Sequence, residues 1–276
     1  MEISGKTKIL GLIGYPVTHT LSPAMHNAAF KVLGLDYVYL AFEVNPMDLE
    51  GAFSGIRSLN FAGVNVTIPH KEAVLSLLDE VDREASVIGA VNTVVNRDGK
   101  LCGFNTDGRG FIESLKEEGI LTEQKKVFIL GAGGASRAIA FSLALHKAST
   151  VAIFDVDQNK AQELLQDVSK VEPLCHVVMG NPENIGDYDI IINATPLGLK
   201  DSDPFPLRPE LIKSDIVVYD VIYRHTKLLE EAKSKGAKTV NGSGMLLWQG
   251  ALAFELWTGV KAPVQIMRNA LLSKMA

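Results

Sequence analysis

The chain has 276 residues, a length that suits two domains. Hydrophobic residues make up 47% of it and charged residues 21%, with a net charge of −5, the composition of a globular protein with a well-filled core. The acid excess and the lack of any basic run argue against a nucleic-acid partner, no apolar stretch approaches the ~18–20 residues of a membrane span, and two cysteines, Cys102 and Cys175, are too few for a disulfide framework. No apolar run precedes Gly11, so no signal peptide is expected, and the cytoplasm is the expected compartment.

Short apolar runs alternate with amphipathic stretches from the start. Strands are expected at 9–13, 37–42 and 63–67, and helices at 23–33, 46–57 and 71–78. Ser22-Pro23 reads as a helix start, a capping hydroxyl followed by proline at the first helical position. Asp98-Gly99, between two short apolar runs, reads as a hairpin turn. A helix follows Asp107 to about residue 118, and a domain boundary is expected at its start. Strands at 127–130, 151–154, 190–193 and 216–219 then alternate with helices at 135–146, 159–168 and 228–235. Such alternation implies parallel sheets with helices on both faces. Two final helices, 245–257 and 263–274, have no strand after them and are expected to return to the first domain. There is no internal repeat and no low-complexity tract.

The segment from Val127 through Gly131-Ala132-Gly133-Gly134-Ala135 is a strand, a glycine turn and a helix start. Glycines there allow a tight turn and let backbone N–H groups approach a pyrophosphate at a helix N-terminus. The third glycine of the usual fingerprint is replaced by Ser136. Asp155 closes the next strand, near the spacing of ~20 residues expected for the acid that holds a ribose. It is followed by Val156, Asp157 and Gln158, with no arginine. A carboxylate there suits the ribose hydroxyls of NAD. It would repel the 2′-phosphate of NADP by about 3–4 kcal/mol at 4–5 Å and an effective dielectric near 20, before screening. NAD is therefore the expected cofactor and NADP the alternative, with Lys160 able to offset part of the repulsion.

Elsewhere the chain carries an inventory of hydroxyls, amides, one lysine and one aspartate in Thr20-Leu-Ser22-Pro, Asn65-Val-Thr67-Ile-Pro-His-Lys71, Asn92-Thr93 and Asn105-Thr-Asp107. That set suits the reduction of a small polyhydroxylated acid. A lysine can protonate a ketone oxygen as hydride arrives and stabilise the developing charge. An aspartate can orient it and bind a neighbouring hydroxyl. The blander readings are a solvated lysine for Lys71, a helix cap for Asp107 and a helix cap for Ser22. His19, His26 and His70 do not make a metal site by spacing; His19 and His26 read as surface or loop residues, and no metal is expected.

Seven stretches in one order make the chain resemble the shikimate dehydrogenase family, including its quinate-using relatives. They are the four just quoted with Gly89-Ala-Val-Asn92-Thr and Gly103-Phe-Asn-Thr-Asp107 around the last two, the glycine loop, Asn193-Ala-Thr195-Pro-Leu-Gly198, and Gly244-Met-Leu-Leu-Trp-Gln249-Gly-Ala. The resemblance covers essentially the whole length. It implies an α/β fold of two domains: an N-terminal α/β substrate domain, 1–106, completed by helices in 243–276, and a Rossmann-like doubly wound dinucleotide-binding domain, 107–242. It implies a shikimate dehydrogenase that interconverts 3-dehydroshikimate and shikimate on the route to chorismate and the aromatic amino acids. Lys71 and Asp107 become the catalytic pair. The substrate carboxylate falls to Thr20 and Ser22, and the ring hydroxyls to Asn65, Thr67, Asn92, Asp107 and Gln249, with Tyr223 closing the cup. The cofactor falls to Gly131, Ala132, Gly133, Gly134, Ala135, Asp155, Thr195 and Met245, although a methionine at a helix start is more often core packing. Three departures stand out: Asp155-Val156-Asp157 replaces the usual Asn-Arg-Ser/Thr run, Thr20 stands where serine is usual, and Tyr223-Arg-His lacks a following proline. The first favours NAD and the second bears on quinate. The rivals are an NAD-dependent quinate/shikimate dehydrogenase and a dinucleotide-dependent sensor without turnover. A monomer or homodimer is expected.

Overall fold

Residues 10–14 are buried one after another, so β1 (Lys8–Gly14) is covered on both faces. Strands of that kind belong in parallel ladders. In the computed structural model, which describes residues 3–275, β1 pairs in parallel with β2 (Tyr37–Glu43) and with β3 (Gly63–Val66). Between the first two lies α1 (Ser22–Leu33), and between the next two α2 (Leu49–Ser58). β4 (Glu80–Val81), α3 (Arg83–Ile88), β5 (Thr93–Arg97) and β6 (Lys100–Phe104) complete the sheet in the order β2-β1-β3-β5-β6-β4. The sheet is mixed rather than parallel: β5 runs antiparallel to β3 and to β6. The Asp98-Gly99 turn, with both residues at positive φ, returns the chain at once and sets β6 antiparallel to β5. Ile13, Phe53, Ile56, Val64, Val66, Val94 and Leu101 form one core cluster in this unit.

Three local expectations are corrected here. The helix expected over 71–78 is a single 3-10 turn, Ala73–Leu77, because Leu78 is already extended and Asp79 bonds to the Leu101 carbonyl. Pairing with the sheet wins over a second helical turn. Ser22 is the first helical residue, not the cap; Leu21 holds the cap position, and no side chain bonds there. His26 is on α1 at 0% exposure, not on the surface, stacked 4.4 Å from the Tyr39 ring and edge-on to Trp257. His19 is exposed, as expected.

The second unit, Asp107–Leu246, opens with α4 (Asp107–Glu117). It continues through β7 (Lys126–Leu130), α5 (Gly134–Leu145), β8 (Thr150–Phe154), α6 (Gln158–Val171), β9 (His176–Met179), β10 (Ile190–Asn193), β11 (Val217–Asp220), α7 (Lys227–Ser234) and β12 (Lys238–Asn241). Its sheet runs β12-β11-β10-β7-β8-β9, with every pair parallel. The order reverses at β7, the point where a doubly wound sheet binds its ligand. Phe128, Leu130, Ile191, Val218, Leu228 and Leu229 share one core cluster.

α8 (Ser243–Thr258) follows, and from Leu247 onward the chain belongs to the first unit again. There Phe254 stacks on Phe30 and the Trp257 indole donates to the Val94 carbonyl at 2.9 Å. α9 (Val264–Met275) packs along α1. No described helix is long and apolar enough to cross a membrane.

Candidate active site

The first unit gathers Asn65 and Asn92, with Tyr39, Thr93 and Thr106, into a buried polar network at the ends of β3, β5 and β6. Asn65, on β3, donates from Nδ2 to the Asn92 carbonyl at 3.0 Å and to Thr93 Oγ1 at 3.1 Å, and its Oδ1 accepts from the Tyr39 hydroxyl at 2.7 Å. Both amide protons are therefore engaged within the protein. Asn65 can meet a ligand only as an acceptor, through its second lone pair, which is narrower than the donor-and-acceptor role its residue type suggests. Asn92 is turned the other way. Its Oδ1 takes the Thr106 N–H at 2.8 Å and the Thr93 hydroxyl at 3.0 Å, and its Nδ2 reaches Thr106 Oγ1 at 3.0 Å.

Thr20 Oγ1 accepts the Ser22 N–H at 3.3 Å, so a threonine hydroxyl supports the start of α1 and leaves the Ser22 hydroxyl out of capping. Ser22, buried, instead interacts with the Tyr39 phenol. Thr67 is half-buried after β3, its methyl packed where a side chain on Gly14 would sit. Lys71 is half-buried as well. Its carbonyl accepts the Val91 N–H at 2.8 Å, which sets it beside Asn92, and the preceding His70 is anchored through its ring to the Val44 carbonyl at 2.7 Å. Gln249 is half-buried on α8. Tyr39, Thr93 and Thr106 lie outside the set of site residues expected from the sequence. The two threonines fall inside quoted motifs, whereas Tyr39 sits in an ordinary apolar strand and gives no signal.

The second unit carries the rest. Asp107 is the first residue of α4 and is buried. Gly131 follows β7 at φ 104°, a conformation open to glycine, and a Cβ there would press on the Ala194 carbonyl at 3.0 Å. Gly133 and Gly134 differ: a Cβ on either would meet no protein atom within 4 Å. The protein does not fill that space, which lies at the N-terminus of the 12-residue helix α5, where N–H groups favour an anion. Ala132 and Ala135 flank these glycines. A dinucleotide pyrophosphate fits this cradle. Ser136 is fully buried beneath the loop and replaces the third glycine without obstructing it. Asp155 accepts the Ala132 N–H through Oδ2 at 2.7 Å and the Asp157 N–H through Oδ1 at 2.9 Å. Val156, beside it, is 92% exposed.

Thr195 is half-buried, and its hydroxyl donates to Asn193 Oδ1 at 2.7 Å. That proton is therefore engaged within the protein. Met245 is buried, and its backbone N–H bonds the Tyr219 hydroxyl. Tyr223 is exposed on the turn after β11. Among the described residues no group of three or more His, Cys, Asp or Glu side chains could hold a metal ion.

Three family descriptions match the chain. Residues 12–94 match the shikimate dehydrogenase substrate binding domain, residues 115–197 match shikimate / quinate 5-dehydrogenase, and residues 242–272 match the shikimate 5'-dehydrogenase C-terminal domain. A relative from Methanopyrus kandleri, named shikimate dehydrogenase (NADP(+)), is 47% identical over 100% of this chain and 98% of its own. Among solved structures, shikimate 5-dehydrogenase from Listeria monocytogenes in complex with shikimate and NAD has a TM-score of 0.91 at 39% identity, covering 98% of each chain. The enzyme from Thermus thermophilus in complex with NADP(H) and shikimate has a TM-score of 0.89 at 40% identity, covering 97% of this chain and 99% of that one.

Proposed function

The chain belongs to the shikimate dehydrogenase family, and on that premise we propose that it interconverts 3-dehydroshikimate and shikimate with a nicotinamide cofactor, a step of aromatic amino acid biosynthesis. The observation that carries this reading is the extent of the likeness, which runs the full length of the chain and takes in both units.

The nicotinamide ring, when bound, supplies or accepts the hydride. Lys71 donates a proton from Nζ to the ketone oxygen as that oxygen gains charge, and takes it back in the oxidative direction. Asp107 accepts a hydrogen bond from the ring hydroxyl next to the reacting carbon. Asn65 accepts from another hydroxyl, since its own protons are engaged, and Thr67, Asn92 and Gln249 complete the set. Thr20 donates to the carboxylate, and the Ser22 hydroxyl rotates from Tyr39 to join it, since charge-assisted bonds are about twice as strong as neutral ones. Tyr223 covers the substrate from its turn.

The cofactor is NAD in this reading. Asp155 puts a fixed carboxylate at the end of β8 and Val156 offers no cation, so the ribose hydroxyls are favoured over a 2′-phosphate. NADP is the second reading, and the comparisons favour it: the Methanopyrus relative is named shikimate dehydrogenase (NADP(+)), as are the other relatives of similar identity, and the Thermus thermophilus structure holds NADP(H). Absorbance at 340 nm with shikimate or quinate, each against NAD and NADP, tests both. Shikimate-dependent reduction with NAD as the better acceptor is expected. No turnover of shikimate with either nucleotide overturns the assignment.

A further inference from the structure

Asp220 ends β11 beside Asn193, which ends β10; the two pair in register and both are wholly buried. Its Oδ1 accepts the Asn193 Nδ2–H at 3.1 Å and the Ile222 N–H at 3.1 Å. Its Oδ2 accepts the Thr226 hydroxyl at 2.7 Å, and that threonine in turn caps α7 by accepting the Leu229 N–H. Burial pushes the Asp220 carboxyl above its usual range, and the three neutral donors draw it part of the way back.

The carboxylate leaves the Asn193 amide one orientation. Nδ2 lies between two acceptors, Asp220 Oδ1 and the Leu197 carbonyl at 3.0 Å, so Oδ1 faces Thr195 and takes both its N–H, at 3.1 Å, and its hydroxyl, at 2.7 Å. Thr195 Oγ1 then accepts the Leu197 N–H at 3.1 Å. Turned over, the amide would set oxygen against the Asp220 and Leu197 oxygens and N–H against the Thr195 N–H, and only the Thr195 hydroxyl could adapt. A second tie joins the two loops above: Arg224 Nη2 donates to the Gly198 carbonyl at 2.8 Å, and Gly198, at φ 109°, packs on Ile222 and Thr226. The loop after β10 and the turn after β11 form one hydrogen-bonded assembly with Asp220 beneath it.

We propose that Asp220 is a positioning residue for dinucleotide binding: one oxygen sets the Asn193 amide and through it Thr195, and the other holds the Thr226 end of the turn that bears Tyr223. The proposal rests on the dehydrogenase reading only in giving Thr195 to the cofactor.

The test uses the full chain and the fluorescence of bound NADH, with NADPH in parallel and no shikimate. Asp220→Ala leaves the Asn193 amide, the Ile222 N–H and the Thr226 hydroxyl without their acceptor. It should raise the NADH dissociation constant tenfold or more while thermal unfolding stays cooperative. Thr195→Ala should weaken NADH binding, and adding Asp220→Ala to it should bring much less than the single effect, because Asp220 acts on the cofactor through Asn193 and Thr195. If Asp220→Ala does not fold, Thr226 carries the test: Thr226→Val should weaken NADH binding and Thr226→Ser, which keeps the hydroxyl, should restore it. A folded Asp220→Ala or Thr226→Val that binds NADH as the wild type does, fully additive losses, or a wild type that binds neither nucleotide overturns the proposal. A chain that binds NADH but does not turn over shikimate overturns the shikimate assignment and leaves this one standing.

Discussion

Asp155 Oδ2 accepts the Ala132 N–H at 2.7 Å, a bond that ties the glycine loop after β7 to the end of β8. The same carboxylate holds the Asp157 N–H through its other oxygen. The residue proposed to select the ribose thus also braces the glycine loop. Asparagine supplies one acceptor where two are needed, so Asp155→Asn alone should weaken both dinucleotides. Asp155→Asn with Val156→Arg should still raise the NADP-to-NAD ratio of kcat/KM at least tenfold, since repulsion is lost and a planar phosphate donor gained. Absolute kcat/KM with NAD should fall. Steady-state kinetics with both nucleotides decide it, and a wild type that prefers NADP would turn attention to Lys160.

Lys71→Ala should lower kcat by roughly 10²–10⁴, the usual range for losing a general acid, with a much smaller change in shikimate KM. Asp107→Asn should harm both, because in the proposed reading Asp107 also holds a hydroxyl. Near-full kcat in Lys71→Ala would show that another group delivers the proton.

Legibility in the sequence follows burial. Strand 190–193, four buried residues, matches β10 to the residue. β9 and β12 have no counterpart among the expected strands: they are the two edges of their sheet, and each is largely half-buried or exposed, so neither carries a clean apolar pattern. Ser22, Asn65, Lys71 and Asp107 stand out as candidates because their motifs are short and local. Tyr39 and Asp220 cannot. Tyr39 bonds Asn65 from 26 residues away and Asp220 bonds Asn193 from 27, so neither has a nearby residue to mark it.

His26 makes a pH prediction that its sequence context conceals. Neither ring nitrogen has a hydrogen-bond partner among the described residues, and burial pushes its pKa from 6.5 down to about 3. The unfolded chain takes up a proton near pH 6.5 and the folded chain only near 3. Acid therefore favours unfolding across that window, by at most ~1.4 kcal/mol per pH unit. Between pH 6.5 and 5 the loss should be up to about 2 kcal/mol. Urea midpoints at pH 7 and pH 5 for the wild type and His26→Leu should show a smaller pH loss in the variant, whatever its own stability. Equal losses would mean the buried imidazole is protonated or hydrated in place.

Quinate differs from shikimate by water added across the ring double bond, which places an extra hydroxyl beside the carboxylate. The group that meets it stands near Thr20 and Ser22. Thr20 Oγ1 already accepts the Ser22 N–H, so its proton is directed elsewhere and its χ1 is restrained by the methyl. A donor held in that way suits the carboxylate better than an added hydroxyl, which needs an acceptor for its own proton. Leaving that proton unpaired costs about 1–3 kcal/mol, or roughly 5- to 150-fold in specificity. Quinate should therefore be oxidised measurably with NAD, but with kcat/KM below that of shikimate by a factor in this range. Thr20→Ser frees χ1 and removes the methyl, and should narrow the gap. Turnover of both substrates at 340 nm, wild type against variant, checks it. No quinate oxidation at millimolar concentration, with shikimate active in the same cuvette, would show that the site excludes the extra hydroxyl by shape.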